Sequence, residues 1–154
     1  MPVRDNNNHA REGFDDNKTV FGKILRGEIP CNIVHETEDL LVFEDISPAS
    51  KNHWLVIPKK HISQPSALTP DDAPLLDNMV QTAKNLVAKY NTSENAEVAM
   101  GFHRFPFLSV YHLHMHVIFP MPAQSWYYKM KFPKGHSPFF KSPKAIQKKY
   151  CTKG

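Results

Sequence analysis

His112-Leu113-His114-Met115-His116-Val117 alternates an imidazole with a hydrocarbon at every step. Successive side chains of a strand point to opposite faces, so the segment predicts a strand with three histidines on one face and Leu113, Met115 and Val117 on the other. The apolar set needs a cover, and the clearest helix of the chain supplies it. That helix opens at Thr69-Pro70-Asp71-Asp72, where Thr69 suits the cap, Pro70 the first helical position and the acids the positive end of the dipole. Leu75, Leu76, Met79, Val80, Ala83, Leu86, Val87 and Tyr90 then recur at helical spacing and form one broad apolar face. Strand-like runs at 32–36, 39–45, 53–58, 97–103 and 112–119 are joined by connections that suit antiparallel pairing. A short helix after Thr19 places Val20, Phe21, Ile24 and Leu25 on one face and ends at Gly27 and Pro30. The expected class is α+β, with one long and one short helix on an antiparallel sheet of about five strands.

The 154 residues suit one domain. No run approaches the roughly 18 apolar residues of a membrane span, and the polar start lacks the apolar core of a secretory signal. Cys31 and Cys151 form neither a disulfide framework nor a Cys-x-x-Cys site, so a cytoplasmic or nuclear setting without membrane association is expected. Residues 1–17 are rich in Asn, Asp and charge and are expected to lack fixed structure, 18–120 to form the domain, and 121–154 a basic, aromatic extension with a short helix near 142–150. The extension carries eight lysines and no acid, against a body at −4. This asymmetry suits an anionic partner, self-docking or a merely solvated tail; nucleic acid is an expectation not favoured over the others.

Three same-face histidines suit two chemistries. His-x-His can converge on a metal ion, but His112 and His116 stand about 13 Å apart in an extended strand, whereas Zn–N bonds are about 2.0–2.1 Å. The other chemistry is phosphoryl transfer, in which a row of imidazoles divides attack, orientation and charge stabilisation. Histidine suits the nucleophile because its reference pKa of about 6.5 leaves it largely neutral at pH 7.

The segment resembles the signature strand of the histidine-triad family. Val20-Phe21-Gly22-Lys23-Ile24-Leu25-Arg26-Gly27-Glu28-Ile29-Pro30 resembles the opening helix of its Hint branch. Phe43-Glu44-Asp45-Ile46-Ser47-Pro48 and the run from His53 to Ile62 resemble its central strands. The resemblance spans about residues 19–120. It implies a nucleotide-binding hydrolase that cleaves purine nucleoside 5′-phosphoramidates through a covalent nucleotidyl-histidine, with no cofactor or metal. By matching position, His114 is the implied nucleophile, His116 holds phosphate oxygens, His112 and His53 support the cluster, and Ser109 helps protonate the leaving amine. Asp45 is implied to accept from the ribose hydroxyls, and Phe21, Ile24, Phe43 and Ile46 to form an apolar purine slot. Without the resemblance, those four apolar residues read as core, Asp45 as a turn residue and Ser109 as a loop hydroxyl; His61 reads as structural. The family also implies a homodimer joined sheet edge to sheet edge.

One stretch departs from the common Hint pattern. Gly101-Phe102-His103-Arg104-Phe105-Pro106-Phe107-Leu108 stands where an Asn and a glycine-rich phosphate loop are usual, and it resembles the divergent third Hint subgroup. His103 and Arg104 are candidate replacement cations. Two rival functions remain: DNA 5′-adenylate removal, as in the more distantly similar aprataxin branch, and a nucleotide-binding scaffold with vestigial activity.

Overall fold

The structure, a computed structural model, describes residues 17–91, 96–104, 107–121, 130–132 and 137–152. Its elements in chain order are α1 (Val20–Leu25), β1 (Ile33–Glu36), β2 (Leu40–Glu44), β3 (Asn52–Pro58), α2 (Ala73–Tyr90), β4 (Ala99–His103), β5 (Met115–Phe119), β6 (Phe140–Lys141) and α3 (Pro143–Tyr150). The strands form one sheet in the order β1-β2-β3-β5-β4-β6, with every recorded pair antiparallel. The α+β class therefore holds, and the extension supplies a sixth strand beyond the five expected.

Alternation along the strands sorts the core into two faces. Leu40 and Val42 of β2, Trp54 and Val56 of β3 and Met115 and Val117 of β5 pack against Leu76, Met79, Ala83, Leu86 and Val87 of α2. The opposite face carries Leu41, Phe43, Leu55 and Ile57 under Phe21, Ile24 and Leu25 of α1. Farther along that face, Ile118 and Ala49 cluster with Phe132 and Phe140 of the extension. Burying a large apolar side chain contributes about 1.5–3 kcal/mol, so the two sides together anchor the sheet.

The long helix begins later than its cap suggests. A 3-10 turn at Pro70–Asp72 precedes it, and Asp72 accepts hydrogen bonds from the Thr69 backbone N–H and hydroxyl at 2.9 and 3.0 Å. Thr19 caps α1 by accepting from the Gly22 N–H at 3.1 Å.

Two expectations need correction. The histidine strand starts at Met115, so His112 and His114 lie in an irregular approach to it. There the Leu113 N–H donates to the Ile62 carbonyl at 2.6 Å, outside the sheet ladder, and Leu113 stays in the core beneath α2. Asn17, assigned to the segment without fixed structure, is buried. The remainder of that segment, 1–16, lies outside the described residues.

Candidate active site

His53 and Leu55 of β3, His116 of β5 and Gly101 and His103 of β4 belong to the sheet face opposite α2. Register puts His116 between Leu55 and Gly101. The core clusters under α1 and under Phe132 flank this histidine row, leaving a cavity of about 370 Å³ between them. Phe21, Ile24, Phe43, Asp45, Ile46 and Ser109 line it together with His53, His103, His114 and His116. Every implied site residue except His112 therefore borders one space. Phe21, Ile24 and Phe43 are buried there, while Ile46 is 96% exposed at the rim.

Hydrogen bonds fix the proton on each ring. Burial pushes the pKa of His53 and of His112 down to about 4, and lowers those of His114 and His116, so the rings are neutral near pH 7. A neutral imidazole has one donor and one acceptor nitrogen. His114 Nδ1 lies 2.7 Å from the His112 carbonyl, which can only accept. The proton therefore sits on Nδ1, and Nε2 keeps its lone pair.

A second relay runs from the backbone. The Ala49 N–H donates to His53 Nδ1 at 2.9 Å, so the proton of His53 sits on Nε2. That nitrogen donates to His116 Nδ1 at 2.8 Å, with an Asp45 carboxylate oxygen at 3.5 Å as a more distant acceptor. His116 must then carry its proton on Nε2, which is buried and finds no acceptor among the described residues. An orphaned buried donor costs about 1–3 kcal/mol, and here it lies at the wall of a cavity.

His112 stands behind the cavity. Its Nε2–H donates to the Pro58 carbonyl at 2.7 Å, and its Nδ1 accepts from Asn17 Nδ2 at 2.7 Å. The Asn17 side-chain oxygen Oδ1 accepts from the Thr19 N–H and hydroxyl at 3.1 and 2.7 Å, which sets the amide orientation. His61 stacks on the His112 ring at 5.3 Å. Sequence reasoning missed Asn17; its one signal is its place two residues before the cap.

The extension contributes more than sequence reasoning assigned it. Buried Phe132 packs edge-on against His53 and also contacts His103 and His116, at centroid distances of 5.5, 4.8 and 5.3 Å. His103, pushed to about 4 by burial, donates from Nε2 to the Lys131 carbonyl at 2.9 Å. It is therefore a neutral buried ring, neither a replacement cation nor an exposed side chain, the two alternatives for this position. Arg104 is half-buried just past β4.

Among the described residues, Asp45, His53 and His116 are the one group with ligand atoms close enough for a metal, all within 4.8 Å. The His53–His116 nitrogen pair stands at hydrogen-bond separation, 2.8 Å, whereas a tetrahedral ion with Zn–N bonds of about 2.0–2.1 Å spreads its ligand nitrogens to about 3.3 Å. The pair is spaced to share a proton.

Residues 18–130 match the family described as scavenger mRNA decapping enzyme C-term binding. The chain belongs to the histidine-triad family. It is 41% identical over 108 residues to adenosine 5′-monophosphoramidase HINT3 of Mus musculus, covering 69% of this chain and 66% of that protein. The HINT3 protein of Xenopus tropicalis is 37% identical over 106 residues, covering 68% of this chain and 69% of its own length. The chain thus spans about two thirds of the length of these histidine-triad relatives. Among solved structures, a HIT family hydrolase from Legionella pneumophila Philadelphia 1 superposes with a TM-score of 0.60 at 34% identity, over 75% of this chain and 98% of that one.

Proposed function

We propose that the chain hydrolyses purine nucleoside 5′-phosphoramidates through a nucleotidyl-His114 intermediate. The observation that carries this reading is the pair of complementary nitrogens at the cavity. His114 is held with its lone pair on Nε2, while His116 offers an Nε2–H that has no acceptor among the described residues. One suits attack on phosphorus and the other a phosphoryl oxygen. The relatives named adenosine 5′-monophosphoramidase support the substrate class.

In this reading Phe21, Ile24, Phe43 and Ile46 hold the base by apolar contact, and Asp45 accepts from the ribose. Binding the nucleoside positions phosphorus before His114 Nε2. The P–N bond to the amine breaks as the N–P bond to His114 forms, and the departing amine takes up a proton with the help of Ser109. Water then attacks phosphorus, releasing the nucleotide and restoring His114. His112 acts at one remove: its carbonyl fixes the His114 tautomer.

The direct test is AMP release from adenosine 5′-phosphoramidate with chelator present. The native chain is expected to turn over and His114→Ala to lose at least about three orders of magnitude, the usual scale for deleting a nucleophile. Turnover by His114→Ala at the native rate sinks the mechanism. A cytoplasmic or nuclear location accompanies this proposal. So does a homodimer.

A further inference from the structure

Lys131 belongs to the basic extension, yet its side chain lines the same cavity as His103, His116 and Ser109. The segment that carries it is anchored twice. The Lys131 carbonyl accepts the His103 Nε2–H at 2.9 Å, and the next residue, Phe132, is buried against His53, His103 and His116. Lys131 is half-buried, its Nζ lies 5.8 Å from the centroid of the Phe132 ring, and among the described residues it takes part in no ion pair. A cation partly withdrawn from water without a counter-ion favours an anion beside it. Its field reaches the histidine wall of the cavity, since its charge helps hold down the proton affinity of His53, His103 and His116. The unfilled donor at His116 Nε2 marks the same wall.

We infer that Lys131 is the phosphate-binding cation of this site, so that the C-terminal extension folds back to complete the nucleotide pocket. The inference rests on the reading of the cavity as a nucleotide site. The ammonium meets non-bridging oxygens of the 5′-phosphoryl group, beside the His116 N–H, and stabilises the charge that gathers there during transfer. His103 is then a positioning residue whose ring holds the Lys131 backbone in place.

The test compares AMP with adenosine, which shares base and ribose but has no phosphate. Isothermal titration of the full chain, Lys131→Gln and Lys131→Arg at one ionic strength gives the ratio of the two affinities. The ratio is expected to fall about tenfold in Lys131→Gln, in keeping with loss of a charge-assisted contact, and to recover in Lys131→Arg. Adenosine binding by Lys131→Gln reports that the pocket is folded. An AMP-to-adenosine ratio equal in the native chain and Lys131→Gln overturns the inference. AMP binding by a native chain that does not turn over the phosphoramidate sinks the phosphoramidase reading alone, because the ratio still decides the role of Lys131. Failure of the native chain to bind AMP overturns both.

Discussion

At His114 and His112, backbone carbonyls choose the tautomer, and they choose opposite ones. His114 is protonated on Nδ1, His112 on Nε2. Asn17 secures the second choice by donating to His112 Nδ1. Asn17→Asp replaces that donor with a carboxylate, an acceptor facing an acceptor, and the conflict is relieved when His112 takes up a proton. The His112 pKa is therefore expected to rise from about 4 to above the reference of about 6.5, with a loss of activity of about tenfold or more. Imidazole NMR across a pH series checks this; an unmoved His112 titration contradicts the assigned tautomers. The triad was legible in the sequence because its alternation is visible in six consecutive residues. Asn17 was not, because nothing in a polar N-terminal stretch marks the one amide that folds under a helix.

Among the elements, β6 is two residues long, and its contact with β4 depends on the absence of a side chain. A Cβ on Gly101 would lie 2.6 Å from a ring carbon of Phe140 and 2.8 Å from the Lys141 carbonyl. Gly101→Ala must push β6 outward at a cost of about 1–3 kcal/mol, an overpacking penalty. Thermal unfolding is expected to show the loss, together with weaker AMP binding as Phe132 and Lys131 lose their support; an unchanged Tm contradicts the packing account. The five core strands and α2 could be read from period-2 and period-3.6 apolar patterns because each buries one face. The start of β5 could not, since His112 to His114 keep an alternating sequence while the Leu113 N–H bonds to the Ile62 carbonyl and not to a neighbouring strand. Nor could β6: Phe140-Lys141 is too short to carry a period.

For the whole molecule, the extension is part of the core and not an appendage. Phe132 and Phe140 cover the histidine face, Ile146 and Cys151 join the cluster under α2, and Gln147 of α3 donates to Asp77 of α2 at 2.7 Å. Truncation after Pro120 removes these residues and bares the edge of β4. An exposed edge strand pairs with other chains. The truncated chain is expected to lose stability by several times the roughly 1.5–3 kcal/mol of one apolar side chain, and to sediment as larger species than the native chain does. A truncated chain with the oligomeric state and the stability of the native chain contradicts this.

The molecule as a whole is also expected to be acid-sensitive. His53, His103 and His112 have native pKa values near 4 against 6.5 for an unhindered ring, so below about pH 6.5 the unfolded chain binds more protons than the native one. Stability is full above pH 6.5 and falls progressively as pH drops toward 4. Denaturant titrations at several pH values test the sign; stability that rises on acidification through this window contradicts neutral buried rings.

Transfer of the nucleotidyl group to His114 Nε2 leaves a trace that can be trapped. When the native chain is mixed with excess adenosine 5′-phosphoramidate, quenched in alkali within the first turnover and mapped by mass spectrometry, an adenylyl group is expected on the peptide containing His114. It is absent from His114→Ala and lost as AMP is released. Full turnover with no adduct, or an adduct on another residue, contradicts transfer to His114.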